Sequence, residues 1–91
     1  MKIRKGFILR QLVSEWMVVT VGEAADEFNG MVRLNNAGAM LWKLLEKGAT
    51  RSDLVQALTE AYQGLDEMTA TRDVNSFLEK IKAAVEDDKE E

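Results

Sequence analysis

Cysteine, histidine and proline are all missing from this sequence. Without cysteine no disulfide can staple the chain, and without cysteine or histidine there is no structural zinc site of the usual kind. The same two absences remove the side chains most used as nucleophile and general base near neutral pH. Carboxylates alone can perform acid–base chemistry when burial raises their pKa, but no Asp or Glu here stands in an obviously apolar stretch. The balance points away from an enzyme, and no cofactor or metal is expected. Long hydrophobic runs are missing too. The basic residues Lys2, Arg4, Lys5 and Arg10 are not followed by an apolar segment of signal-peptide length, and nothing approaches membrane-spanning length. The expectation is a cytoplasmic protein with no membrane partner. With no proline, no low-complexity run and no internal repeat, nothing marks an interdomain linker.

What is present fits one small domain. The chain has 91 residues, of which 46% are apolar, enough for a single compact core. Its formal charge of -4 is local: Glu86, Asp87, Asp88, Lys89, Glu90 and Glu91 account for all of it. Residues 1–85 are therefore balanced and form the expected domain, with 86–91 a solvated, disordered acidic tail.

Hydrophobic periodicity divides the domain in two. Phe7 to Leu12 and Glu15 to Val21 alternate as strands, joined through Val13 and Ser14. Trp16, Val18 and Thr20 share one face of the second strand, with Met17, Val19 and Val21 on the other. Gly22 to Gly30 reads as a longer loop closed by the turn-forming pair Asn29-Gly30, before a third short strand from Met31 to Leu34. From Asn36 the apolar spacing lengthens to that of helices. The first is expected to run from about Asn36, as its N-cap, to Lys47 and to stop at Gly48. The second opens at Thr50-Arg51-Ser52-Asp53, close to a capping box, and buries Leu54, Val55, Leu58 and Tyr62. The third begins near Asp66 or Thr69, with an apolar stripe of Ala70, Val74, Phe77, Leu78, Ile81 and Val85. A three-stranded antiparallel sheet followed by three helices is an α+β domain, arranged like a winged helix-turn-helix.

No phosphate loop, metal cluster or nucleophile–base set can be assembled from these residues, and the six glycines are too scattered for a cradle. Gly38 stands out because it sits in the first turn of a helix, where glycine costs roughly 1 kcal/mol relative to alanine. Close packing against a strand or loop is the expected reason. Trp16 and Trp42 are expected in the core or at its boundary. The third strand offers the more informative feature: an edge with unpaired backbone groups beside an amphipathic helix can accept an extended chain. The alternative is that the preceding loop or the acidic tail covers that edge.

Several segments together resemble the coenzyme PQQ synthesis protein D (PqqD) family. They are Lys5-Gly6-Phe7, the segment from Gly22 to Phe28-Asn29-Gly30, Val32-Arg33-Leu34-Asn35 leading through Gly38 to Leu41-Trp42, then Gly48-Ala49-Thr50, Asp73-Val74 and Phe77-Leu78. The resemblance spans roughly residues 5–85. It implies a non-catalytic peptide chaperone, a recognition element for ribosomally synthesised and modified peptides. Such a protein binds the leader segment of a precursor peptide and partners a radical SAM maturase. It further implies that the leader lies antiparallel on the third strand and packs against the third helix. Carried onto this sequence, Met31, Val32, Arg33 and Leu34 would supply backbone pairing. Val74, Phe77, Leu78 and Ile81 are the positions from which the groove wall would be drawn, some of them facing the core instead. Arg33 and Lys80 would add charge complementarity to acidic leader residues.

Two other readings compete. A winged helix can bind nucleic acid, but residues 66–85 carry Arg72, Lys80 and Lys82 against Asp66, Glu67, Asp73 and Glu79, and the acidic tail adds repulsion towards phosphates. No nucleic-acid partner is expected. The free strand edge could instead pair with a second copy of the chain, giving a homodimer.

Overall fold

The computed structural model describes residues 1–27 and 31–87. The loop turn expected at Asn29-Gly30 and the tail residues Asp88 to Glu91 lie outside them. The elements run β1 (Lys2–Ile3), β2 (Phe7–Leu12), β3 (Glu15–Thr20), α1 (Glu23–Glu27), β4 (Val32–Leu34), α2 (Asn36–Lys47), α3 (Arg51–Ala61), α4 (Glu67–Lys80) and β5 (Val85–Glu86). A short 3₁₀ turn, Lys82–Ala84, joins the last two.

The alternating segments form an antiparallel sheet of order β2-β3-β4. β2 and β3 are in register from Phe7 opposite Thr20 to Leu12 opposite Glu15, so the link is a two-residue turn. Such turns need positive φ. Val13 supplies it at φ 56, fully exposed, a conformation that glycine or asparagine adopts far more readily than a β-branched residue. Trp16, Met17 and Val18 then face Leu34, Arg33 and Val32 of β4. Val18 and Leu34 turn inward and are buried, whereas Met17 lies on the outer face in the cross-strand row Arg10–Met17–Arg33. Its cross-strand neighbours are Arg10 and Arg33, whose long aliphatic stems can cover apolar surface.

Each long helix starts on a side-chain cap. Asn35, rather than the expected Asn36, caps α2: its Oδ1 accepts from the Gly38 amide at 2.8 Å. Thr50 and Asp53 form a reciprocal capping box, so the shorter Asp does the work of the usual Glu. Asp66 Oδ1 accepts from the Thr69 amide at 2.7 Å. Gly48 ends α2 at φ 96, and Gly64, at φ 87, lies in the turn after α3. The core is built where the inward sheet face meets the three helices: Trp42, Leu45, Leu54, Ala70 and Val74 are wholly buried, with Leu41, Leu58 and Ile81 nearly so. Burying each such large apolar side chain contributes about 1.5–3 kcal/mol. Trp42 Nε1 donates to Glu46 Oε2 at 3.2 Å, and half-buried Trp16 donates to Asn36 Oδ1 at 3.0 Å with Lys43 over its ring.

Four further features depart from the sequence-based expectation. The loop after β3 contains the five-residue α1, held by Ala24 packing near Gly6 and by the Arg4–Glu27 ion pair at 3.2 Å. The third helix does not run on to Val85: it closes at Ile81, and the chain turns into β5 to pair with β1. Glu86, assigned to the tail by its charge, is thereby the partner of Lys2. Tyr62 is not buried with the α3 stripe, because its backbone is extended at the C-cap and swings the ring out of the helical face. Two-residue strands carry almost no periodicity, which is why β1 and β5 escape a pattern search. Their sheet ties the chain ends together, helped by the Arg4 amide donating to Ala84 C=O at 2.7 Å and by exchanged backbone bonds between Met1 and Ala49. Among the described residues no helix is long and apolar enough to cross a membrane.

Candidate functional site

The sheet has two edges, β2 and β4, and among the described residues neither outer edge pairs with another strand. What distinguishes β4 is its setting. Its C-terminal half opens onto a cleft of about 790 Å³, within the range of small-molecule and side-chain pockets. Arg33 and Leu34 form one wall, and Ala37 and Gly38 of α2 form part of the floor. Leu58, Tyr62 and Leu65 close the far end, and α4 makes the opposite wall. A separate, narrow cavity of about 10 Å³, lined by Val32, Lys80, Ile81 and core residues such as Phe7 and Trp42, shares Lys80 with the cleft and is too small for a guest side chain.

The α4 wall follows from helix geometry. Asp73, Ser76, Phe77 and Lys80 are spaced i, i+3, i+4, i+7 and so share one face. That face adjoins the core stripe, and Phe77 belongs to both. Gly38 now has its explanation: a Cβ there would sit 3.3 Å from Leu34 Cβ and 3.3 Å from Asn35 Oδ1, tighter than ordinary contact, so the missing side chain eases the close approach of α2 to β4.

The expected site residues divide. Val32, Arg33 and Leu34 form β4, while Met31 precedes the strand, is 65% exposed and does not line the cleft. Phe77 and Lys80 line it. Val74 is wholly buried in the core, Ile81 reaches only the narrow cavity, and Leu78 lies towards Met1 and Arg51 on another side of α4. Sequence reasoning missed Asp73, Ser76, Leu58, Tyr62 and Leu65. The signal for the first two was there, as a polar stripe one step around the helix from the apolar one. Tyr62 and Leu65 carried none, because their placement depends on how the chain leaves α3.

The cleft therefore has an apolar base and a charged rim. Arg33 faces Glu15 across the β3–β4 pair at 3.8 Å, both side chains well exposed. Asp73 and Lys80 have no ion-pair partner among the described residues. No group of three or more His, Cys, Asp or Glu residues is placed to hold a metal ion among those residues. The arrangement can pair with a backbone, bury an apolar side chain and attract charge.

Comparison with solved structures finds the same fold in two complexes. One is described as "TbiB1 in Complex with the TbiA(beta) Leader Peptide", with a TM-score of 0.71 and 24% identity over 90% of this chain and 88% of that one. The other, "Lasso peptide synthetase B1 complexed with the leader peptide", gives 0.69 and 21% over 89% and 88%. No curated protein matches the sequence. The family profile of coenzyme PQQ synthesis protein D (PqqD) matches residues 15–84, from the start of β3 to the 3₁₀ turn after α4, and the chain belongs to that family.

Proposed function

We propose that this protein is a peptide-binding recognition element that holds the leader segment of a ribosomally made precursor and presents it to a radical SAM maturase. The leader adds to the sheet as a strand antiparallel to β4. The observation that carries this reading is the unpaired β4 edge lying directly on an apolar cleft walled by α4. The leader-bound state of the two structural relatives supports it, as does membership of the PqqD family.

Energetics define the division of labour. Each backbone hydrogen bond nets only about 0.5–1.5 kcal/mol, and β4 is three residues long. Association costs at least about 4 kcal/mol in lost freedom. Strand pairing sets the geometry, then, and affinity comes from apolar leader side chains entering the wide end, each contributing about 1.5–3 kcal/mol. The protein supplies no chemistry; the maturase does.

Selection of random twelve-residue peptides displayed on phage against the immobilised protein tests this. Enriched peptides should contain an apolar anchor and compete with one another for one site. Their binding should fall when Leu65 is replaced by Ser while the fold, followed by circular dichroism, is retained. Enrichment of nothing, or of peptides indifferent to Leu65→Ser and Tyr62→Ser alike, would overturn the proposal.

A further inference from the structure

The two cleft charges without partners lie at different positions along the groove. Asp73 stands beside the wide end, and Lys80 lines both the wide cleft and the narrow cavity, which puts it at their junction. β4 runs from Val32, at the narrow cavity, to Leu34, at the wide cleft, while α4 runs from Asp73 at the wide cleft to Ile81 at the narrow cavity. Strand and helix thus pass along the groove in opposite directions. The other charged pair on the rim, Glu15 with Arg33, is already matched within the protein. The unmatched charges of the groove are thus ordered along α4, Asp73 first and Lys80 about two turns later, nearer the narrow cavity.

From this we infer that Asp73 and Lys80 read the order of residues in the bound segment: an apolar anchor first, and an acidic residue about two positions after it. The inference rests on the strand-addition reading above. A guest antiparallel to β4 enters at the Leu34 end, so its earlier residues meet the wide apolar pocket and its later ones meet Lys80. The middle of the Asp73–Phe77 turn lies about 7.5 Å along the helix from Lys80 at 1.5 Å per residue. Side chains on one face of a strand repeat about every 6.8 Å, which sets the spacing at two residues. Asp73 disfavours an acidic residue upstream, so the same peptide written backwards fits poorly. Backbone pairing on a three-residue strand specifies register weakly. The charge pair supplies the missing register and direction.

The test applies the same twelve-residue library to the wild-type protein and to the double variant Asp73→Lys, Lys80→Asp, which keeps the net charge and alters two exposed helix positions. Wild type should enrich apolar-x-acidic peptides, and the swapped variant should replace the acidic position with a basic one. For an individual selected peptide, replacing the acidic residue by lysine should weaken wild-type binding about threefold at 0.1 M salt and more at low salt. Lys80→Gln should abolish that difference. If both proteins enrich the same anchored peptides with no charge preference, the charge-reading inference fails while the strand-addition reading stands. Acidic residues enriched before the anchor would overturn the direction assigned here. If no peptide is enriched by either protein, both readings fail.

Discussion

Gly6 shows how a single missing side chain fixes a local arrangement. It has φ +95, and a Cβ there would lie 2.7 Å from Ala24 Cβ and 2.9 Å from Val21 C=O. Gly6 C=O also accepts from the Val21 amide at 2.8 Å, so the start of β2, the end of β3 and α1 meet at this one position. Gly6→Ala should destabilise the protein by about 2 kcal/mol or more in urea unfolding, combining left-handed strain with a clash that backbone cannot relieve. At the cleft, Tyr62 and Arg33 make a useful contrast because both are exposed and both line it. Tyr62→Ser should weaken binding of a selected peptide roughly five- to tenfold, the loss of about 1–1.4 kcal/mol of apolar burial. Arg33→Ala, which removes one half of an already matched exposed pair, should change affinity by less than about threefold. Calorimetry giving the reverse order would show that charge, rather than apolar contact, anchors the peptide.

At the scale of elements, α4 carries both the core and the cleft wall, and its N-terminus is held by the Asp66 cap. The Thr69 amide and hydroxyl, which favour the charged carboxylate, hold the Asp66 pKa below its ordinary value, with a smaller contribution from Arg72. A carboxylate whose folded pKa is depressed stabilises the fold above its unfolded pKa, and that stabilisation is lost as pH falls through the lower folded value. Asp66→Asn keeps a capping oxygen but cannot titrate. Its acid unfolding curve should be shallower than that of wild type below about pH 4; identical curves would remove Asp66 from the account. The β2–β3 turn makes the opposite point, because Val13 is strained and exposed. Val13→Asn should raise stability by about 1 kcal/mol, measured by the urea midpoint. These elements also show what was readable from sequence. The long helices and the hairpin were legible because their periodicity and caps are local: Phe7–Leu12 coincides with its expected limits, and α2 ends at the expected Lys47, though its cap is Asn35, one residue before the expected Asn36. The allocation of α4 was not. Val74, Phe77, Leu78 and Ile81 are all apolar at helical spacing, and which face looks into the core depends on where β4 and α3 stand, a tertiary fact with no sequence period.

For the whole molecule, the proposed function follows from furnishing one of the sheet's two edges, both unpaired among the described residues, with an apolar cleft. The closure of the chain ends through β1 and β5 keeps Val85 and Glu86 off the β4 edge, since they are paired with Ile3 and Lys2 instead. The other edge, β2, is longer, yet none of its residues lines the cleft. The two edges therefore differ in their fitness for a guest, and that difference can be measured residue by residue. Amide hydrogen exchange followed by NMR, with and without a saturating selected peptide, is the most direct measurement. The account predicts slowed exchange at β4 and at the facing turns of α4, with the amides of β2 unchanged. Protection confined to β2 or the outer sheet face, with β4 exchanging as it does in the free protein, would contradict it.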